Sequence, residues 1–216
     1  MSNEPRIVLD YSPIIRHYEE CLDLYGDTHK GVDWPNANDA ATRYGVMLDL
    51  LPASRPLTVL DFGCGASHLY EYIVGLQLSG IQYVGLDISP KFIQLCRSKF
   101  PHNTYICADI LQTPEAIPEV DCVVMNGVFT EKCSLSAAQM LAFIQQTLVA
   151  AFRKARYGIA FNVMSAHVDW QRDDLFHLPF DLNAEFLTRH LSRHFNVRND
   201  YGLYEYTTYV FRQKRD

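Results

Sequence analysis

The stretch VLDFGCG, Val59 to Gly65, decides the fold, because an apolar strand runs there into an acid and then into a glycine turn. With Leu57 to Phe62 mostly apolar and Ala66 to Leu78 able to form a helix, the segment reads as strand, tight turn, helix. Gly63 and Gly65 fall where a ligand must meet the main chain, since glycine puts no Cβ in its way. That arrangement builds a nucleotide-type cofactor site. A dinucleotide fingerprint, G-x-G-x-x-G, would hold a pyrophosphate at the helix N-terminus. Here the third glycine position is His68, and Asp61 at the strand's end would repel a pyrophosphate. A nicotinamide-dependent dehydrogenase is therefore the least favoured reading, and a cofactor without phosphate fits better.

Three further segments follow in order. YVGLDIS, Tyr83 to Ser89, reads as a second strand ending in Asp87, with Ile88 just beyond it. TYICADI, Thr104 to Ile110, carries Asp109 and Ile110 at its end, and DCVVMNG, Asp121 to Gly127, carries Asn126 and Gly127. A single Asp after a strand often serves only a turn or a helix cap. Four such ends in succession, separated by plausible helices, carry more weight than any one of them. From about Leu57 to Ser165 the chain resembles the class I S-adenosylmethionine-dependent methyltransferases.

The resemblance implies roles for these residues. Gly63, Cys64 and Gly65 would form the turn beside the methionine part of the cofactor, with Asp61 as the acid that anchors the loop. Cys64 reads as a small residue tolerated between glycines rather than as a catalytic thiol. Asp87 would accept both ribose hydroxyls, a bidentate task suited to a carboxylate, with Ile88 beside it. Asp109 would meet the adenine amino group and Ile110 would pack on the ring, while Asn126 and Gly127 would stand at the reacting centre with Phe129 near the methyl group. S-adenosyl-L-methionine is thus the implied cofactor and S-adenosyl-L-homocysteine the product. The implied fold is α/β, a doubly wound, mostly parallel seven-stranded sheet with a C-terminal antiparallel hairpin.

The rest of the chain suits that architecture, alternating strands with helices. A chain of 216 residues buries about 70% of its unfolded surface, so neither metal nor disulfide is needed to hold it, and no metal site is expected. Ser89-Pro90 starts a helix with proline in its first turn. Ser136 to Gln139 fits a capping box, after which Ala137, Leu141, Ile144, Leu148 and Phe152 recur at helical spacing as a core stripe. Tyr157 to Met164 predicts a strand and Leu182 to His194 a helix. Phe195 to Tyr201 and Leu203 to Phe211 alternate around Gly202 as a terminal hairpin.

Two units are expected: residues 1–52 as a helical lid contributing to the cofactor and substrate site, and residues 53–216 as the cofactor-binding core. Ile14 to Leu24 reads as a helix carrying Tyr18, and Asn38 to Leu51 as another with Arg43 on its polar side. The polar, glycine-punctuated run between them holds Trp34 before Pro35. Tyr11, Tyr18, Tyr25 and Trp34 are candidates to face a sulfonium, where cation–π attraction contributes on the order of 1 kcal/mol. Trp34 reads equally well as a pin holding the loop to the sheet. Methyl transfer depends mainly on alignment, and a hydroxyl acceptor also needs a general base. His167 is a candidate base and Trp170 a candidate pocket wall, because both follow the fifth strand, where open α/β sheets place ligand-contacting loops. A polar surface turn is the competing reading for His167. Glu131, Lys132 and His177 have weaker claims.

The net charge of −6 offers no broad footprint for nucleic acid, and Asn126-Gly127-Val128-Phe129 lacks the two prolines of the motif used by enzymes that methylate nucleic-acid amino groups. Six cysteines without C-x-x-C spacing, no visible secretory leader and no membrane-crossing apolar run point to a cytoplasmic protein with reduced thiols. The expectation is a methyltransferase acting on a small polar molecule, with O-methylation of a sugar or other metabolite favoured. The alternatives are a protein methyltransferase and a non-catalytic cofactor-binding partner subunit. Oligomeric state is open.

Overall fold

The computed structural model describes residues 9–53 and 56–215; the first eight residues of the expected lid lie outside them. The strands are β1 (Leu57–Phe62), β2 (Ile81–Asp87), β3 (Thr104–Cys107), β4 (Val120–Met125), β5 (Ala155–Ser165), β6 (His177–Leu178), β7 (Phe195–Arg198) and β8 (Glu205–Phe211). They form one sheet in the order β3-β2-β1-β4-β5-β8-β7, with β6 beside the end of β5. Strands β1 to β5 pair in parallel, whereas β8 runs antiparallel to both β5 and β7. The chain reverses strand order between β1 and β4. Open α/β sheets bind ligands at such a switch point, outside the carboxyl ends of the strands. The expected mostly parallel sheet and terminal hairpin are present, and the two-residue β6 makes eight strands where seven were read.

Alternation along the strands divides the apolar residues between two cores. Leu60 and Val123 face one, with Ile144 and Leu148 of α5 (Ala137–Lys154) and Leu187 of α6 (Phe180–His190). Val59, Cys122 and Val124 face the other, with Met47 of α2 (Ala37–Leu48), Ile73 of α3 (His68–Gly75) and Ile93 of α4 (Pro90–Lys99). The period-2 split explains why near-continuous apolar strands are needed when both faces are covered. Ser136 and Gln139 make the full capping box at the start of α5, and Ser89 caps α4.

The N-terminal helix α1 (Ser12–Tyr25), a 3-10 turn (His29–Val32) and α2 lie before β1. One reading fails here. Arg43 is not on a solvated face but is buried, at 8% exposure, because it meets an acid from the far end of the chain. Among the described residues no helix is long and apolar enough to cross a membrane.

Candidate functional site

A cavity of about 1160 Å³, counting its open mouth, lies at the carboxyl ends of β1, β2 and β4. Its lining includes every residue read as a cofactor contact: Asp61, Gly63, Cys64, Gly65, Asp87, Ile88, Asp109, Ile110, Asn126 and Gly127. The β1 turn is drawn against β2, since Gly63 and Cys64 donate their N–H groups to Leu86 O at 2.8 and 3.0 Å. Gly63 has φ +71°, and a Cβ there would sit 2.8 Å from Val128 Cγ2, so both conformation and space require glycine.

Asp87 is fixed from both sides. Gly65 N–H donates to its Oδ2 and Ser89 N–H to its Oδ1, each at 2.9 Å. A carboxylate offers about four acceptor positions, so two are left for a ligand. Burial raises the Asp87 pKa, opposed by those backbone donors. Deeper in the site Asp61, 3% exposed, accepts from Tyr83 Oη at 2.7 Å. Burial pushes its pKa up to about 7 against the Tyr83 hydrogen bond, and Asp87 adds repulsion. Two neighbouring carboxylates in a low-dielectric pocket favour a cation over an anion, as the sequence argument against pyrophosphate requires.

The roof comes from the N-terminal segment. Tyr11, Ile14, Tyr18, Val32 and Trp34 line the cavity, whereas Tyr25 does not and is half-exposed. Tyr11 donates its hydroxyl to Asp109, whose other oxygen accepts from Leu111 N–H at 2.8 Å. Burial and that carboxylate push the Tyr11 pKa up to about 12. Tyr18 donates to Gly127 O at 3.1 Å. Further ties are Glu19, which accepts from Ser89 Oγ at 2.5 Å, and Asp27, which meets His68 at 2.9 Å and Lys99 at 2.8 Å.

Trp34 lines the cavity and pins its loop against the end of β4. Its ring lies against Gly127, where φ is +79° and an added Cβ would fall 2.7 Å from two ring carbons. On the other side the Arg43 guanidinium stacks over the indole, 4.2 Å from the ring centre. Arg43 Nε donates to Glu205 Oε2 at 2.7 Å, and Asn162 Nδ2 donates to Glu205 Oε1 at 2.7 Å. Asn162 also accepts from Gly127 N–H at 2.7 Å and donates to Asn126 Oδ1 at 3.2 Å. One buried polar chain therefore ties α2, the end of β4, β5 and β8 to the cavity floor. Asn162 went unread, although a lone amide in the apolar β5 run was a signal.

Several expected site residues do not line the cavity. Phe129 is fully buried and packs edge-on against Phe143 and Phe161, because a large apolar ring after β4 gains more from the core than from the opening. His167 stacks on Phe180 at 5.5 Å, where a turn set by its own N–H to Ser165 Oγ carries it. Trp170 packs edge-on against His177 and Tyr204 and is 37% exposed. His177 bonds Ser165 O at 2.8 Å, and Glu131 is buried outside the cavity lining. Instead α5 contributes Phe143 and Thr147, which lie one position off the expected core stripe. Thr147 Oγ1 is buried and has no hydrogen-bond partner among the described residues.

Comparison with known proteins agrees with this geometry. Residues 59–151 match the sequence profile of the methyltransferase domain family. The candidate methyltransferase Rv1506c of Mycobacterium tuberculosis is 28% identical over 165 residues, covering 74% of this chain and 96% of that protein. The magnesium protoporphyrin IX methyltransferase of Synechocystis, solved with S-adenosylhomocysteine, superposes with a TM-score of 0.63 at 14% identity, covering 93% of this chain and 99% of that one. Human N-acetylserotonin methyltransferase, solved with S-adenosylmethionine, gives 0.63 at 15% identity, covering 94% and 58%. The substrates in those two names differ widely, so the shared fold names no acceptor.

Proposed function

We propose that this chain is a class I S-adenosylmethionine-dependent methyltransferase that binds the cofactor in the β1–β2–β4 cavity and passes the methyl group to a small polar acceptor, with a hydroxyl oxygen as the atom methylated. The observation that carries the cofactor pose is Asp87: a half-buried carboxylate held by Gly65 and Ser89 N–H at the switch point, with acceptor capacity left for two ribose hydroxyls. The glycine turn at 63–65 then receives the methionine part, with Asp61 electrostatically favouring its cationic groups. Ile88 and Ile110 flank the adenine, and Asp109 shares its carboxylate between Tyr11 and the adenine amino group.

The reaction is an in-line displacement. The acceptor oxygen attacks the methyl carbon, the carbon–sulfur bond breaks, its electron pair stays on sulfur, and the acceptor proton leaves to solvent or a base. Sulfonium is already a good electrophile, so alignment is the protein's main contribution, about 7–11 kcal/mol in favourable cases. Asn126, Gly127, Tyr18 and Trp34 stand around the methyl end in this pose, and the described part of the expected lid, residues 9–52, covers it. The unpartnered Thr147 hydroxyl is available to a ligand at the α5 wall. Because His167 does not line the cavity, the proposal gives the base role to no single side chain.

A small acceptor is preferred over a nucleic acid because the chain carries a net charge of −6. The test is transfer of labelled methyl groups from S-adenosylmethionine to metabolite fractions, run beside protein and RNA fractions. Label in a small molecule, lost in Asp87→Ala, supports the proposal. Label confined to protein or RNA overturns the acceptor class. Tight cofactor binding without transfer to any fraction favours the partner-subunit reading.

A further inference from the structure

Outside the cavity lining, two elements of the N-terminal segment bring metal-binding atoms together. His17 and Cys21 are four residues apart on α1 and therefore share one face of that helix. Asp33 follows the 3-10 turn in a left-handed conformation, φ 58°, with its N–H bonded to Lys30 O at 3.0 Å. One donor atom from each of the three lies within 4.8 Å of the others. His17 Nε2 is 2.8 Å from Asp33 Oδ2 and 3.9 Å from Cys21 Sγ.

We propose that His17, Cys21 and Asp33 bind a thiophilic divalent cation, zinc in the first instance, which clamps α1 to the 3-10 turn over the cavity. Thiolate, imidazole and carboxylate together are a zinc-type donor set, and zinc favours four such ligands in a tetrahedron. With bonds of about 2.0–2.3 Å, tetrahedral donors stand about 3.3–3.6 Å apart. The His–Asp pair would open slightly and the Cys–His pair would close slightly, shifts that side-chain rotation alone supplies. Solvent supplies the fourth ligand in this proposal, as at zinc sites with three protein ligands.

The His17–Asp33 ion pair accounts for two members by itself. It does not account for the buried Cys21 thiol beside the same imidazole. A divalent cation would neutralise the Asp33 carboxylate and the Cys21 thiolate, and binding would release the Cys21 proton. Tyr18 sits between His17 and Cys21 in sequence and donates to Gly127 O, so the clamp would also steady one wall of the cavity. The site does not depend on the acceptor or on cofactor binding, and either reading can fail alone.

The experiment uses reduced, metal-stripped full-length protein titrated with zinc against a chromophoric chelator, and then with cobalt(II) followed by absorption. The expected result is one zinc per chain and a thiolate-to-cobalt charge-transfer band. The charge-transfer band should be lost in Cys21→Ala, and zinc affinity should fall roughly a hundredfold, at the upper end of what even outer ligand partners contribute. Cys107→Ala removes an exposed thiol elsewhere and should bind as the parent does. If Cys21→Ala does not fold, Asp33→Asn carries the same affinity test, since Asp33 is partly exposed. Failure of the folded parent to compete for one zinc, or a charge-transfer band unchanged by Cys21→Ala, overturns the proposal.

Discussion

Glu205→Gln should destabilise the protein far beyond what a surface acid would. Glu205 is 2% exposed and Arg43 is 8% exposed, and the two meet at 2.7 Å across 162 residues of sequence. Glutamine keeps the volume and an oxygen for Asn162 Nδ2, but its amide nitrogen then meets Arg43 Nε donor against donor. The change leaves a buried guanidinium without its anion, a loss of about 3–5 kcal/mol where such pairs are broken from one side. Arg43 Nη1 has no partner among the described residues, so it offers no alternative contact to absorb the loss. Against a typical total stability of about 5–15 kcal/mol this is a large fraction. In a chain of this size it corresponds to a fall of roughly 6–20 °C in Tm. The assay is urea unfolding of Glu205→Gln, Arg43→Met and the double variant. Methionine still covers Trp34, so the double variant, with no stranded charge, should recover at least about 2 kcal/mol of the Glu205→Gln loss. A Glu205→Gln loss below about 1 kcal/mol, or a double variant no better than the single, would refute the argument that the pair is energetically buried.

Four other outcomes follow from the site. Gly127→Ala combines a positive φ with a Cβ 2.7 Å from the Trp34 ring, and should destabilise by about 2–5 kcal/mol in thermal unfolding, with part recovered when Trp34→Leu makes room. Asp61, whose folded pKa of about 7 lies above its unfolded value, binds an extra proton in the folded state between about pH 4 and 7. Stability should therefore fall as pH rises through that window and level off above it, and Asp61→Asn should flatten the curve measured by urea unfolding. Affinity for a cationic cofactor should rise over the same upper range, as Asp61 ionises, in calorimetric titrations from pH 6 to 8; a pH-independent affinity in both proteins would contradict that role. Tyr18→Phe removes the hydroxyl that bonds Gly127 O and should lower stability by only about 0.5–1.5 kcal/mol, read by the same unfolding assay.

The core from β1 to β5 was legible because its signals are local: an apolar run, an acid, a glycine turn and a capped helix each lie within about ten residues. The capping box at Ser136 and the hairpin around Gly202 were legible for the same reason. What escaped depends on contacts between distant segments. Arg43 looks solvated on a helical wheel, and only the arrival of β8 beside α2 buries it with Glu205. His17, Cys21 and Asp33 have no recognisable spacing as a set until the turn after α1 folds back. His167 and Phe129 were placed by the rule that loops after strands face ligands. Each instead found a better partner, Phe180 for the imidazole and Phe143 with Phe161 for the ring. Phe143 and Thr147 were hidden because a stripe at helical spacing names the centre of a buried face and not its edge.

The most direct test of the account is calorimetric titration of the protein with S-adenosylmethionine and S-adenosylhomocysteine, beside Asp87→Ala. The account predicts 1:1 binding of both to the parent and its loss in a variant that still unfolds cooperatively. No binding by folded parent protein, or equal binding by Asp87→Ala, would contradict the placement of the cofactor on Asp87 at the switch point between β1 and β4.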